Sequence, residues 1–310
     1  MSLSAMLGLG QTALELALFN SLTVLALFLS YTMLNVCDLS TDGCYALGAA
    51  VGAVVAISGH PWLSIPAAMG AGVLSGFVTA LLQTRMGVNS LLAGIIVNTG
   101  LYSVNIAVMH GSSLLNMNKT ETVFTVLKGL LKGTPLGAWY TIIVGLAAVA
   151  LVIVFLSFFL RTRLGLAIRA TGNNPAMVRS SSINPAFTTT VGLCISNSFT
   201  ALSGCLFAQS QKSVTVDIGS GMVTMALASL LIGGVFLGRR SIPVRAAGAV
   251  LGAFVFRLVY TIALRFSLPA FMLKLVSSII VVIAISGPYL KRQFPMLRRQ
   301  LTARFRKAGA

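Results

Sequence analysis

The side chains that enzymes use to make and break bonds are thinly supplied in this chain. Five acids and two histidines stand against 22 lysines and arginines in 310 residues. No GxxxxGK[ST] phosphate cradle occurs, so nucleotide binding in the P-loop manner is excluded. There is no HExxH pair, no nucleophile elbow, and no pair of acids within an apolar run to serve as an acid–base or metal site. Cys37, Cys44, Cys194 and Cys205 lack CxxC spacing and a nearby histidine, and His60 and His110 lie far apart, so the cysteines read as small core hydrophobes. The chain reads as a non-enzyme with no cofactor of its own.

What remains is polar chemistry in apolar surroundings. Asp38 and Asp42 flank Ser40-Thr41 between two apolar runs. One reading is capping, with Ser40, Thr41 or Asp42 covering the start of the second run. The other is a broken membrane helix whose ends line a path. Asn89, Asn98 and Asn105 share one run, and Ser196, Asn197, Ser198 and Thr200 share another. So many polar groups cannot all face lipid, which leaves interhelical hydrogen bonds or the lining of a polar path. Arg257 lies mid-run and needs a partner, a watery cavity or room to snorkel.

The most organised stretch is RTRLGLAIRATGNNPAMVRSSSINP, Arg161–Pro185, with four arginines and no acid. Two Asn-Pro pairs punctuate it. Asn accepts an orphan amide as a helix N-cap, and Pro is tolerated at the first helical position. With Gly172 ending the preceding helix, the pattern predicts a short helix over 175–182, a break, and a new helix from 185. Such an element suits docking, although basic charge alone would also hold an ordinary loop in the cytoplasm.

Composition supplies the elements that must position these groups. The chain is 56% hydrophobic and 9% charged, where a soluble domain carries about 25% charged residues. Apolar runs of about twenty residues recur throughout, the mark of an all-α polytopic membrane protein. Nine spans are expected, near 14–36, 44–59, 63–84, 88–109, 139–160, 186–208, 222–238, 246–264 and 270–287. Residues 1–290 then form one transmembrane domain, followed by a basic tail, 291–310. The longest polar connection is 110–138, with a turn at Gly133-Thr134-Pro135, and a shorter one covers 209–221. The N-terminus has no basic region or clear cleavage site, so it does not read as a cleavable signal. Glycines recur at four-residue spacing, Gly48 and Gly52, Gly72 and Gly76, Gly248 and Gly252, which allows close helix contact. The likeness of LGAAVGAV (47–54) to AGAVLGAF (247–254) reads either as an internal repeat or as chance between Gly/Ala-rich helices.

The net charge of +17 is a topology signal, because basic residues cluster at the ends of apolar runs and not among aromatics in a soluble domain. No nucleic-acid partner is implied. Alternating the spans puts Arg85, Arg161, Arg163, Arg169, Arg179, Arg239, Arg240, Arg245 and seven tail residues on one side, fifteen in all. The other side receives four, Lys119, Lys128, Lys132 and Lys212. The tail and the arginine-rich stretch are therefore expected in the cytoplasm and the N-terminus outside.

Three motifs in order resemble the permease subunits of bacterial ABC importers of the branched-chain amino acid and ribose type. They are CDLSTDGCYALGAAVG at 37–52, TRLGLAIRATGNNPAMVRSSSIN at 162–184 and LIGGVFLGRRSIPVRAAGAVLGA at 231–253, and the likeness covers nearly the whole chain. The resemblance implies that the stretch at about 161–185 holds the coupling helix that seats in an ATPase subunit. Gly172, Asn174, Pro175, Ala176, Arg179 and Ile183 would carry that role. Ser182 departs from the family, standing where a Gly commonly precedes the Ile. The resemblance further implies a second permease copy, two cytoplasmic ATPases that use ATP and Mg, an extracytoplasmic binding protein, and the bacterial inner membrane. Within the family the chain looks most like a subgroup linked to aromatic amino acids.

Three functions stay open at this point: an amino-acid importer subunit, an importer subunit for a sugar or nucleoside, and an ion-driven secondary transporter. The last would want intramembrane acids for ion coupling, and Asp38 and Glu15 near span ends serve poorly. The path candidates, Asp38, Asn98, Asn105, Ser196, Asn197, Thr200 and Arg257, are mostly neutral and suit a zwitterionic or uncharged solute. The charge split has a direct test. Single cysteines at Ser181 and Lys119 in a cysteine-free variant should react with an impermeant maleimide from opposite sides of the membrane. Labelling of both from outside would refute the orientation.

Overall fold

A computed structural model of the chain describes residues 3–130, 139–237 and 241–265, with scattered positions between 275 and 286. Helix α1 (Leu3–Leu27) widens into a π-helical stretch, Phe28–Met33, and an extended segment leads to α2 (Thr41–Ile57). Helices α3 (Ser64–Thr84) and α4 (Ser90–Val108) follow, then strand β1 (Leu114–Asn116) and α5 (Val123–Leu130). Next come α6 (Tyr140–Phe159), α7 (Arg163–Asn173), α8 (Pro175–Ser180) and α9 (Pro185–Gln211). Strand β2 (Ser213–Thr215), a 3₁₀ turn (Val216–Gly219), α10 (Met222–Leu237) and α11 (Ile242–Arg265) complete the order.

Among the described residues seven helical stretches are long and apolar enough to cross a membrane, and α2 is a shorter apolar helix of 17 residues. These match the first eight expected spans. The ninth, 270–287, lies outside the described residues, as do the tail, Arg239, Arg240 and the Gly133-Thr134-Pro135 turn.

Helix α9 is the axis of the bundle, and its contacts fix the direction of its neighbours. Cys44 Sγ donates to the Asn197 carbonyl, 153 residues away. Gly48 meets Ala201 and Gly52 meets Cys205 at that same offset, so α2 runs parallel to α9. Against α3 the indices run oppositely: Gln209 Nε2 donates to Ser64 Oγ, Gly72 lies on Asn197 and Gly76 on Leu193. Against α1 they also run oppositely, with Ser203 Oγ donating to the Phe19 carbonyl and Ser196 Oγ to the Ala26 carbonyl, 2.7 and 2.8 Å. Small residues make these approaches possible where lipid gives no hydrophobic drive for helix association. A Cβ at Gly48 or Gly72 would strike the backbone of α9.

The consequence is two ends. One carries α7 and α8, with the end of the π-helical stretch, Met33 and Leu34, against Gly172 and the end of α3 at Arg85. The other carries the antiparallel β1–β2 pair, in register Leu114 to Thr215 and Asn116 to Ser213. Both strand segments fall in stretches whose sequence reads only as polar connection, and each is only three residues long.

Helix α2 starts level with Asn197, near the middle of the 27-residue α9, and not at the membrane surface. Residues 34–40 therefore climb back from the α8 end to mid-depth. Segment 213–221 makes the converse move: it follows α9, runs back along α2, and brings Gly219 onto the Asp42 carbonyl, where α10 begins. Long helix, extended return, short helix, long helix thus occurs twice, in opposite directions, as α1–α3 and α9–α11. In that correspondence α2 matches α10. The similar runs at 47–54 and 247–254 fall on α2 and α11, so their likeness is not the trace of this repeat.

The packing gives a matched pair of substitutions. Gly48→Ala should lower detergent stability by about 1–3 kcal/mol, the cost of overpacking a tight contact. Gly70→Ala, on α3 with nothing within 4 Å, should be neutral or stabilising. Thermal unfolding followed by size-exclusion chromatography reads both, and equal melting of the two variants would contradict the packing.

Candidate functional site

Asp38 is the polar centre of the first break, 1% exposed. Its Oδ1 accepts from the Ser40 amide (2.8 Å) and the Ser40 hydroxyl (2.6 Å), and its Oδ2 accepts from Asn197 Nδ2 at 2.8 Å. Thr79 Oγ1 on α3 donates to Ser40 Oγ, and Thr41 Oγ1 donates to the Asp38 carbonyl. The carboxylate also lies before the first turn of α2, where the helix dipole favours negative charge. Ser40, at the cap position of α2, gives no side-chain capping bond. Simple self-capping, one of the two expectations for this segment, is thus replaced by a broken helix tied to α9 and α3.

Asp42 does cap a helix, but a distant one. Its Oδ2 accepts from the Gly221 amide (3.0 Å) and its Oδ1 from the Val223 amide (2.8 Å), at the start of α10. The two short helices therefore meet at mid-depth through one carboxylate. Beside this junction opens a polar pocket of about 420 Å³, walled by the first turns of α2, the middle of α4 and residues 216–220. Asn98 and Asn105 both line it, and Asn105 Nδ2 donates to the Gly43 carbonyl, 3.2 Å. Asp217, Thr99, Tyr102 and Ser103 belong to the same walls and were not singled out from sequence. The signal was present in VDIGSG at 216–221, which is too polar and too glycine-rich to extend a span.

The structure brings Asp38 and Asn197 together, and Asn98 and Asn105 together, in two adjacent groups. Ser196 and Thr200 serve packing in this conformation: Ser196 bonds to α1, and Thr200 Oγ1 donates to the Ser196 carbonyl within α9. Arg257 lies apart on α11. Its guanidinium stacks 5.0 Å from the Tyr260 ring, and Nε has no hydrogen-bond partner among the described residues.

At the α8 end the two Asn caps act as read. Gly172, by contrast, does not end the preceding helix: it lies inside α7, which runs on to Asn173, and its missing Cβ serves close packing. Thr162 accepts from the Gly165 amide, Asn174 Oδ1 from the amides of Ala176 and Met177, and Asn184 Oδ1 from that of Ala186. Helix α8 then closes with a Schellman turn, in which the Ser182 amide bonds to the Arg179 carbonyl and the Ile183 amide to that of Val178. Ser182 stands at φ +59°, so this serine takes the left-handed conformation that glycine adopts without a Cβ penalty. The substitution leaves the turn intact. Ala176, Met177, Arg179 and Ile183 are exposed, whereas Val178 is buried. Gly172 has no room for a Cβ against the Met33 carbonyl, and Ile168 packs with Leu34, Ala80 and Leu193. Thr171 and Thr188 hydroxyls share a 2.8 Å bond. The presented surface is therefore rigidly joined to the start of the first break.

A membrane bundle with a broken polar centre and a capped, exposed short helix at one end is an architecture suited to a transport subunit. The chain belongs to the permease components of branched-chain amino acid transport systems, a family that matches residues 12–285. It is similar to a tyrosine transport system permease protein of Clostridioides difficile, 29% identical over 86% of each chain. It is also similar to the ribose import permease of Escherichia coli (28% identical, 70% of this chain and 66% of that one). The guanosine ABC transporter permease of Bacillus subtilis shares 27% identity over 62% of this chain and 60% of its own. No solved structure matches the chain. The protein is a multi-pass inner-membrane permease subunit of an ABC importer for small solutes, and members of this family are transport subunits that work with ATPase and solute-binding partners.

The Asp38–Asn197 link can be tested by a double-mutant cycle. Each alanine variant should cost about 1.5–3 kcal/mol, the range for a bond to a charged group. The double variant should cost clearly less than the sum, because the residues share one contact. Additive losses in thermal unfolding would show that the bond carries no coupling.

Proposed function

We propose that this chain is one half of an ATP-driven amino-acid importer, with aromatic amino acids as its preferred cargo. Two copies would form the membrane path, two cytoplasmic ATPases using ATP and Mg would dock at the α8 end, and an extracytoplasmic binding protein would deliver solute at the hairpin end. The N-terminus would lie outside, the C-terminus in the cytoplasm, and nine helices would cross the bilayer.

The observation that carries the reading is the α7–α8 element: a short helix capped at both ends, exposed through Met177, Arg179 and Ile183, and backed by Gly172 against the end of the π-helical stretch. A force applied to α8 passes through α7, whose Gly172 sits on Met33 and Leu34, and from there reaches the segment that carries Asp38. The aromatic amino-acid preference is supported by the similarity to a tyrosine permease over most of both chains. Neutral polar groups at mid-depth suit a zwitterion that must pass without being held.

Two measurements test this. Asn174→Ala removes a cap that accepts two amides, a loss of about 0.5–2 kcal/mol, and Arg179→Glu reverses an exposed charge. Both variants should insert normally yet co-purify poorly with the ATPase and lose uptake. Proteoliposomes holding permease, ATPase and binding protein should take up radiolabelled phenylalanine or tyrosine only with ATP. Ribose or guanosine uptake without amino-acid competition would overturn the cargo, and uptake without ATP would overturn the class.

A further inference from the structure

We infer that the pocket between α2, α4 and residues 216–220 is a solute site that receives a protonated amino group. The inference rests on the amino-acid reading and adds where, and by which end, the permease itself holds its cargo.

The pocket's depth comes first. Gly43 packs against Asn98 and Leu101, and α2 begins level with the middle of α9, so this part of α4 lies inside the bilayer. There α4 presents Thr99, Tyr102 and Ser103 outward, with Asn98 half-buried beside them. One helix face carrying that much polarity cannot be turned to hydrocarbon. Nearer the α8 end, the same helix exposes Leu91, Leu92, Ile95 and Ile96. The polarity is therefore a local band at the pocket and not a feature of α4 as a whole.

The chemistry of the walls is one-sided. Both oxygens of Asp42 are occupied by the amides that open α10. Asp217 is exposed at the rim and makes no ion pair among the described residues, so it supplies the charge. Asn105 is 1% exposed; its nitrogen is used by the Gly43 carbonyl, and its oxygen has no donor among the described residues. A carboxylate and a waiting amide oxygen call for a ligand rich in N–H donors and positive in charge. Among the described residues no lysine or arginine lines the pocket to receive a carboxylate. An ammonium group suits either acceptor, and the Tyr102 side chain in the same wall can serve a cation or an aromatic side chain. The volume, about 420 Å³, falls within the range of small-molecule sites.

The test uses the permease–ATPase complex in nanodiscs, without binding protein, so that any protection comes from the permease. Ser103→Cys is introduced with the four native cysteines replaced, and alkylation by a small maleimide is timed in variants that remain monodisperse. Phenylalanine and phenethylamine, which carry the amine, should slow alkylation, whereas hydrocinnamate, which lacks it, should not. Asp217→Asn should raise the half-protecting phenylalanine concentration about three- to fivefold, the scale of one solvated ion pair. Equal protection by all three compounds, protection by none, or no change in the Asp217 variant would overturn the site. Phenylalanine uptake driven by ATP alongside absent protection would overturn the site alone. Uptake restricted to ribose or guanosine would remove the amino-acid reading on which it rests.

Discussion

A bilayer core offers no hydrogen-bond partner to an interrupted helix, so every break in this bundle must be satisfied from within the protein. Two carboxylates meet most of that need. Asp38 takes the Ser40 amide and hydroxyl and the Asn197 side chain, which lets residues 35–39 run without helical bonds at membrane depth. Asp42 takes the amides that α10 leaves open at its start. Remove either group and backbone amides at membrane depth lose their partner. The short helices, the pocket beside them and the crossing directions all follow from those segments being tolerable.

Much of this was legible in the sequence because the signals are local. Apolar runs gave the positions of α1 to α4, α6 and α9 to α11, and the Asn-Pro pairs placed α8 and the start of α9 within a residue or two. Caps are read from neighbours, and the amide that Asn174 accepts is two residues away. Glycines at four-residue spacing announced close contacts, though not their partners. Gly72 and Gly76 press on α9, whereas Gly248 and Gly252 press on α10.

What escaped was long-range. Asp42 was read as a possible cap for the helix it begins, since no local rule points to Gly221 and Val223, some 180 residues on. The β1–β2 pair joins three-residue segments across five helices, too short for alternation to show. The α2–α10 correspondence was hidden because it lies in direction and depth; the sequence offered a false lead in two Gly/Ala-rich runs. Ser182 is the converse case. It departs from the family pattern, yet the hydrogen bonds of the turn form regardless.

The constant offset between α2 and α9 has a consequence for how such a chain tolerates change. Cys44, Gly48 and Gly52 meet α9 one turn apart, each at its own matching residue. A side chain there can be exchanged for another small one, and the loss stays at that position. Adding or deleting one residue within the helix rotates everything beyond it by about 100°, which turns the small face away from α9 and a bulky one toward it. Length is therefore a stricter constraint on α2 than composition, and natural variation in indels should collect in the connections at the two ends of the bundle.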